Sequence, residues 1–390
     1  MSMTSRQRFL TALDRGVPDR LPVTTHHVMP YFLERSLGGI STQAFFDRFG
    51  LDPILWLCPI VEEPPRDDWR VERVEMVGRP YPATRISYVT PGGTLTTLIE
   101  SNDHTAWVTE YLIKEKRDIE ILGEFAPAPL CDVAAVNRAA AEFGERGLVR
   151  GNICCFDCFG QPGCWQDAAC MVGVQRLILE TFRDPQWVHA LLDTLCRLKE
   201  PFARSLRGAR FDLLEHGGGH ASSTVISPGI LEAFVAPYDA RLIALAHEAG
   251  QRVVYHTCGG MMPFLELLAD MGPDAMETFT PRGMGGDADL AEARARLGDR
   301  VCMIGGFDQF HHFTGCSPEE TRAAVRRCFE AAGRQGAYIL SPSDHFFEAD
   351  IELLEAYADE GRSCVYAEGS RGAAHESRCD GAPERKGIDP

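Results

Sequence analysis

The chain lacks the long apolar runs, the basic excess and the nucleotide-binding glycine motifs that mark several common protein classes. Its longest hydrophobic stretches are strand-sized, far short of the roughly 20 residues of a membrane helix, so we expect no membrane partner. Acidic residues outnumber basic ones by 56 to 39, which gives a net charge of −17. Such a surface repels phosphate backbones and argues against nucleic acid. Neither Gly-x-Gly-x-x-Gly nor a P-loop occurs, which disfavours a doubly wound nucleotide-binding sheet.

Signals for export are also missing. Met1 to Arg20 contain no apolar core of the kind that a secretory signal carries. The fourteen cysteines are scattered over 390 residues, whereas a disulfide framework is typical of a short secreted chain. In a reducing compartment most of them would act as small buried hydrophobic residues. We therefore expect a cytoplasmic protein.

The order of strand-like and helix-like segments predicts the fold. They alternate from residue 118 onward, as in a parallel sheet with right-handed helical crossovers. Predicted strands lie at 21–25, 53–60, 147–153, 211–214, 252–255, 275–277, 301–304 and 337–340. Residues 69–113 instead alternate polar and apolar residues and contain a Pro91-Gly92-Gly93 turn, which predicts an antiparallel hairpin excursion. The fold class is therefore α/β, a (β/α)8 TIM-like barrel. We expect one domain over 1–367 and a disordered tail over 368–390.

Polar residues follow nearly every predicted strand, where the active site of a barrel is built. They are His26 and His27, Cys154-Cys155-Phe156-Asp157-Cys158, Glu215-His216, His256-x-Cys258, Glu277, Gly305-Gly306 with Asp308, and Asp344-His345. Within this set the pair His256 and Cys258 is the most informative. Residues i and i+2 of an extended chain point to the same face, and imidazole nitrogen and thiolate sulfur are preferred zinc ligands. Further ligands are expected from Glu277, Asp344 or His345.

Other interpretations of these residues remain open. A His-x-Cys pair also occurs by chance, and Cys155-x-x-Cys158 is either a zinc or redox pair or part of a pocket wall. Glu215 and Asp157 are candidate catalytic groups, although Glu215-His216 also fits a structural polar pair. Candidate cofactor-binding residues are His26, His27, Gly305, Gly306 and Asp308.

Several motifs together resemble the uroporphyrinogen decarboxylase superfamily. The first runs from Arg8-Phe9-Leu10 through Pro18-Asp19-Arg20 to Pro22-Val23, and the second from Ser227-Pro228 to His256-x-Cys258-Gly259. The resemblance covers residues 4–366 and implies a barrel. In the zinc-dependent branch a cysteine follows the last strand, but this chain has Ser341-Pro342-Ser343-Asp344 there. The resemblance therefore implies that Asp344 or His345 replaces that ligand.

The resemblance implies a zinc-dependent methyltransferase that moves a methyl group between a corrinoid, with or without a carrier protein, and a small thiol-type acceptor. The alternative is a metal-free decarboxylase of tetrapyrrole metabolism, in which Asp157 or Glu215 would hold the pyrrole nitrogens. Residues 24–30 have no arginine, and a polycarboxylate substrate needs fixed guanidinium groups, which disfavours the decarboxylase. A barrel that only docks a corrinoid protein is the non-enzymatic alternative.

Overall fold

The computed structural model describes residues 2–62, 66–154 and 162–366, and their strands form two sheets. The strands are β1 (Ile54–Trp56), β2 (Arg70–Glu75), β3 (Ala83–Thr90), β4 (Gly93–Ser101), β5 (Ala106–Glu110), β6 (Leu148–Asn152), β7 (Leu213–Gly217), β8 (Val253–His256), β9 (Ala275–Thr278), β10 (Cys302–Gly305) and β11 (Tyr338–Ile339). The larger sheet has seven strands in the order β1-β6-β7-β8-β9-β10-β11, and all its pairs are parallel. The predicted α/β architecture is thereby confirmed.

Helices connect these parallel strands, because a parallel pair needs a long crossover. They are α1 (Ser5–Leu13), α2 (Pro30–Leu37), α3 (Thr42–Phe49), α4 (Asp118–Phe125), α5 (Val133–Phe143), α6 (Cys164–Val172), α7 (Val174–Arg183), α8 (Pro185–Ser205), α9 (Pro228–Ile230), α10 (Ala236–Glu248), α11 (Leu265–Asp270), α12 (Leu290–Leu297), α13 (Gln309–His312), α14 (Pro318–Cys328) and α15 (Ile351–Ser363). Short 3₁₀ segments lie at Gly144–Arg146, Met262–Phe264 and Arg282–Met284, and π segments at Leu231–Val235 and Phe329–Gly333. In the described ranges, no helix is both long enough and apolar enough to cross a bilayer.

Local sequence accounts for the start of α14, whereas α6 carries no helical pattern of its own. The α14 helix begins with a capping box, in which Ser317 and Glu320 satisfy each other's backbone N–H groups ahead of an amphipathic run. The α6 helix lacks such a pattern because it is buried on nearly all sides. A helix surrounded by protein has no polar face, so it shows no helical periodicity in the sequence.

The segment at 21–25 differs from its prediction as the first strand. Val23 makes a single parallel bridge to Leu340 rather than a strand ladder. The Thr24 N–H donates to the Leu340 carbonyl at 2.9 Å, and the Asp52 N–H donates to the Val23 carbonyl at 2.8 Å. The segment thus contacts chain next to β11 and chain next to β1. The described residues therefore form seven parallel strands and one bridging segment, where the prediction had eight strands.

The antiparallel excursion is confirmed. Strands β2, β3, β4 and β5 form a separate four-stranded sheet in sequential order. Thr90 pairs with Gly93 at the tight turn between β3 and β4, where the sequence has Pro91-Gly92. In the sequence this sheet lies between β1 and β6, which are themselves hydrogen-bonded neighbours in the parallel sheet. The excursion therefore leaves the strand order of the main sheet unchanged.

Candidate metal centre

Four buried side chains converge at the carboxyl-end region of the parallel sheet. His26, Glu215, His256 and Glu277 each offer one ligand atom, and these four atoms all lie within 4.8 Å of one another. The exposed fractions of the four residues are 1–5%. The mixture of imidazole and carboxylate groups is one that zinc accepts. Among the described residues, this is the group of three or more histidine, cysteine or acidic side chains that lie close enough together to hold a metal ion.

Strand register brings these residues together. Glu215, His256 and Glu277 lie on the adjacent strands β7, β8 and β9, and His256 pairs directly with Glu277. Side chains alternate between the two faces of a strand, so Glu215 and His216 point in opposite directions. His216 accordingly lies 3.0 Å from Asp239 Oδ1, in a buried pair apart from the cluster. The proposed structural role of a polar pair at this position thus belongs to His216 and Asp239.

His26 reaches the cluster from the bridging segment. Its Nδ1 lies 3.4 Å from Glu277 Oε2, and its Nε2 lies 4.0 Å from Glu215 Oε2. The Trp56 indole N–H donates to the His26 carbonyl at 3.0 Å, which ties this backbone to the end of β1. The residue directly after the bridging segment at 21–25 therefore supplies the fourth side of the cluster.

Glu277 orients the ring of His256. The two residues are joined through His256 Nδ1 and Glu277 Oε1 at 2.9 Å. If Nδ1 carries the proton and donates to the carboxylate, Nε2 is the nitrogen left for a metal, as in carboxylate–histidine–metal arrangements. His256 Nε2 and Glu277 Oε2 are both buried and make no well-formed hydrogen bond, although Glu277 Oε2 lies 3.4 Å from His26 Nδ1. Two buried polar atoms in one cluster that lack a well-formed hydrogen bond are the feature expected of an ion-binding site.

Arg150 supplies the positive charge of the cluster. It comes from the middle of β6, is 1% exposed and makes ion pairs with Glu277 and, at 2.8 Å, with Glu215. Its guanidinium also lies over the Trp56 ring, 4.5 Å from the centroid. Burying two carboxylates without a counter-charge would cost much free energy, and the ion pairs with Arg150 offset part of that cost.

Neighbouring charges determine the protonation states of His256 and Glu277. Burial alone would lower the pKa of His256, but Glu215 and the hydrogen bonds to Cys258 and Glu277 hold this pKa well above its usual value. Burial would raise the pKa of Glu277, but Arg150 first, and then His26 and His256, hold it well below its usual value. A protonated His256 and Arg150 then balance the carboxylates of Glu215 and Glu277. A divalent cation would take the place of protons here.

Cys258 lies beside His256. A hydrogen bond between the two side chains helps to raise the pKa of the imidazole. It is half-buried and is not part of the four-residue group. Gly219 gives the thiol room, since a Cβ at this glycine would lie 2.6 Å from Cys258 Sγ. The predicted convergence of His256 and Cys258 is therefore compatible with the structure, whereas a ligand role for the thiol stays a prediction.

Asp344 and His345 form a pair at the edge of the site, outside the four-residue group. His345 Nδ1 lies 2.8 Å from Asp344 Oδ1. Burial opposes ionisation of Asp344, but His345 and, more weakly, His256 lower its pKa to about 2. The two side chains line a cleft of about 400 Å³ whose other walls include Phe310, Phe346 and Phe347. They thus belong to a partly apolar cleft next to the cluster, and their role as ligands stays a prediction.

The remaining predicted cofactor-binding residues have clear local contacts. His27 stacks on Trp56 with ring centroids 4.5 Å apart, and burial lowers its pKa to about 2, with His26 contributing. Gly305 has a φ of +110°, and a Cβ there would lie 2.1 Å from the Thr278 carbonyl oxygen. Gly306 also has positive φ. Asp308 caps α13 by accepting from the His311 N–H at 3.0 Å. These contacts explain the residue types without a cofactor, and binding by these residues is untested.

Sequence reasoning missed Arg150, and three predictions fall where no placement is described. Asp157, the motif Cys155-x-x-Cys158 and the tail predicted at 368–390 lie outside the described residues. A signal for Arg150 was present, since this arginine is the one charged residue in the segment at 147–153. A charged residue on a fully buried parallel strand needs a buried partner, and that requirement would have pointed to the strand-end carboxylates.

Comparison with known proteins supports one family. The model of the family described as uroporphyrinogen decarboxylase (URO-D) matches residues 160–360. A uroporphyrinogen decarboxylase of Chromohalobacter salexigens is 30% identical over 196 residues, which are 45% of this chain and 51% of that protein. One of Methylibium petroleiphilum is 28% identical over 217 residues, 53% of each chain. The chain spans about half the length of the curated relatives it matches.

A solved structure shares the fold. It is a methyltransferase from Methanosarcina mazei, which is 14% identical, covers 93% of this chain and 99% of its own, and has a TM-score of 0.62. At this identity the likeness concerns the fold alone.

Proposed function

The chain belongs to the uroporphyrinogen decarboxylase family, and from this premise we propose that it is a zinc-dependent methyltransferase of that superfamily. It would move a methyl group between a corrinoid, or a similar donor, and a small thiol-type acceptor. The observation that carries the proposal is the buried group His26, Glu215, His256 and Glu277, in which His256 Nε2 and Glu277 Oε2 lack well-formed hydrogen bonds.

The donors present fit zinc. His256 would bind through Nε2, and the thiol of Cys258 stands next to that ring. His26 and Glu215 can supply the remaining nitrogen and oxygen donors from within the same cluster, in addition to Asp344 or His345, one of which the resemblance implies as a ligand. When bound, zinc would lower the pKa of a coordinated acceptor thiol and so provide a nucleophile at neutral pH.

The protein's own residues would prepare the site for this chemistry. Glu277 holds His256 in one ring orientation through the Nδ1 contact, and Arg150 holds both carboxylates in place. Burial of the cluster excludes water, which favours reaction with a methyl donor over loss of the methyl group to solvent. The partly apolar cleft lined by Phe310 and Phe347 would hold the acceptor, with the Asp344–His345 pair at its polar end.

Metal analysis of purified protein tests the proposal. We expect about one zinc per chain in the wild type, loss of the metal in His256→Ala, and weaker but measurable binding in Cys258→Ser. His247→Ala is the matched control, because His247 is a half-exposed histidine paired with Asp274 on the surface, and it should keep its metal. Cobalt loading adds a second readout, since a thiolate ligand produces an intense near-ultraviolet charge-transfer band that Cys258→Ser should lose.

Two outcomes would contradict the proposal. One is a wild type that takes up no zinc or cobalt from solution. The other is metal bound with unchanged affinity in His256→Ala. Activity is then measured with methylcobalamin and a thiol, following the thioether product and the demethylated cobalamin.

The second candidate function is a metal-free decarboxylase, which is favoured by the names of the curated relatives. Arg150 does not supply the substrate-binding guanidinium that such an enzyme needs, because Glu215 and Glu277 already occupy it. Incubation with uroporphyrinogen decides between the two. Formation of a decarboxylated product by protein stripped of metal would establish the second candidate and overturn the first.

A further inference from the structure

Two cysteines face each other at the carboxyl ends of β1 and β6, apart from the metal cluster. Cys58 and Cys154 have their sulfur atoms 2.7 Å apart, although they are separated by 96 positions in sequence. Cys58 is exposed and Cys154 is buried. Neither residue has a part in the proposed methyl transfer.

Strand pairing explains why these residues meet. β1 and β6 are parallel neighbours, with Trp56 opposite Arg150, and the Leu57 N–H extends the pairing by donating to the Arg150 carbonyl at 2.8 Å. Residues that follow two adjacent parallel strands emerge at the same edge of the sheet. The approach of Cys58 to Cys154 is thus built on regular backbone pairing.

We propose that Cys58 and Cys154 form a reversible dithiol–disulfide site that responds to peroxides. Cys58 is the sulfur that reacts with the oxidant, because it is the solvent-exposed member, and Cys154 is the resolving thiol already in contact with it. The proposal does not depend on metal binding or on methyl transfer.

The protonation of the pair agrees with these roles. The Cys154 thiol donates a hydrogen bond to the Cys58 sulfur and thereby lowers the pKa of Cys58 to about 7. The same hydrogen bond, together with burial, raises the pKa of Cys154. A large fraction of Cys58 is therefore thiolate at neutral pH, and the thiolate is the reactive form of cysteine.

The chemistry balances with hydrogen peroxide as the two-electron oxidant. The Cys58 thiolate attacks one peroxide oxygen, the O–O bond breaks, hydroxide leaves, and Cys58 becomes a sulfenic acid. The Cys154 sulfur then attacks the Cys58 sulfur, the S–O bond breaks, and the departing hydroxide takes the Cys154 proton to form water. The sum is two thiols and one peroxide giving one disulfide and two waters. A dithiol reductant restores the pair by exchange.

The site is placed to affect the neighbouring cluster. Cys58 follows Trp56, whose ring stacks on His27 and whose N–H donates to the His26 carbonyl. A disulfide would tie the chain after β1 to the chain after β6 next to these contacts. Oxidation of Cys58 would therefore affect a segment that is hydrogen-bonded to the backbone of His26.

Peptide mapping of the full chain after mild peroxide treatment at neutral pH tests the proposal. We expect a linked peptide pair containing Cys58 and Cys154, with the loss of two thiols per chain, both reversed by dithiothreitol. In Cys154→Ser, Cys58 should stop at the sulfenic acid and be labelled by dimedone. In Cys58→Ser, Cys154 should stay reduced because it is buried.

The matched control is Cys316→Ser, which removes a half-buried thiol that contacts Thr321 elsewhere in the chain. It should form the Cys58–Cys154 link as the wild type does. The proposal is overturned if Cys58 and Cys154 remain reduced while other cysteines oxidise, or if Cys58 links to a different cysteine. The wild-type map alone decides this, whether or not the variants fold.

Discussion

At the scale of single residues, His256 shows how neighbours set the chemistry of one side chain. Glu277 occupies its Nδ1, Nε2 is left without a partner, and Glu215 holds its pKa well above the usual value despite burial. The spacing His256-x-Cys258 was enough to predict a shared face for the two side chains. The contribution of Arg150 was not predicted, because its partners lie on strands far away in the sequence.

Zinc affinity should therefore rise with pH. Because the pKa of His256 is raised, the proton occupies the imidazole over a wide range below that pKa and must leave when metal binds. Each displaced proton makes the apparent Kd fall about tenfold per pH unit. Competition against a chromophoric chelator between about pH 6 and 8 measures the slope. Cys258→Ser should give a shallower slope, since one fewer proton is displaced, and a Kd independent of pH would contradict the prediction.

At the scale of elements, the bridging segment at 21–25 depends on a buried carboxylate rather than on a strand ladder. Asp52 is 1% exposed and accepts a hydrogen bond from the Val23 N–H at 2.9 Å. The same carboxylate accepts from the guanidinium groups of Arg8 and Arg20. This network holds the segment that carries His26 at the edge of the cluster. The sequence predicted an ordinary strand here, because apolar residues alone do not reveal which hydrogen bonds a segment makes.

Asp52→Asn should destabilise the protein and weaken metal binding together. Removing the charge takes from the buried Arg8 guanidinium one of its two carboxylate partners, while Asp19 remains. Weakening a buried hydrogen bond between charged groups in this way costs about 1.5–3 kcal/mol. Urea unfolding measures the stability, and zinc titration measures the effect on His26. Asp14→Asn is the control, because Asp14 pairs with Arg252 on the surface and should cost at most about 1 kcal/mol. Equal effects of the two substitutions would contradict the prediction.

At the scale of the whole molecule, the antiparallel excursion is part of the connection between two neighbouring strands of the parallel sheet. The excursion leaves the main sheet after β1 and returns at β6, and these strands are neighbours. Cys58 and Cys154 lie just beyond those two strand ends, so a bond between them would close a loop that contains the whole excursion. Alternating residues and the Pro91-Gly92-Gly93 turn were sufficient to predict the excursion itself.

Closing this loop should stabilise the folded protein. A disulfide across a loop of roughly 100 residues restricts the unfolded chain and contributes at most about 4–5 kcal/mol in the chain-entropy model, with native strain subtracting from it. Unfolding of the peroxide-oxidised protein in urea, compared with the same sample after dithiothreitol, measures the difference. Cys58→Ser should show no such difference between the two conditions. An oxidised wild type no more stable than its reduced form would argue against a bond of this kind.

The sequence by itself determined the order of strands and helices, the antiparallel excursion and the candidate residues at the strand ends, because hydrophobic period and turn residues are local signals. Only the tertiary structure decided which of those candidates meet: His26, Glu215, His256 and Glu277 form the cluster, Arg150 joins them, and Asp344 and His345 stand at its edge. The physical reason is that these contacts depend on strand register and on the curl of the sheet. Both bring together residues from different segments of the chain, some of them as far apart in sequence as His26 and Glu277, and no local pattern records such contacts.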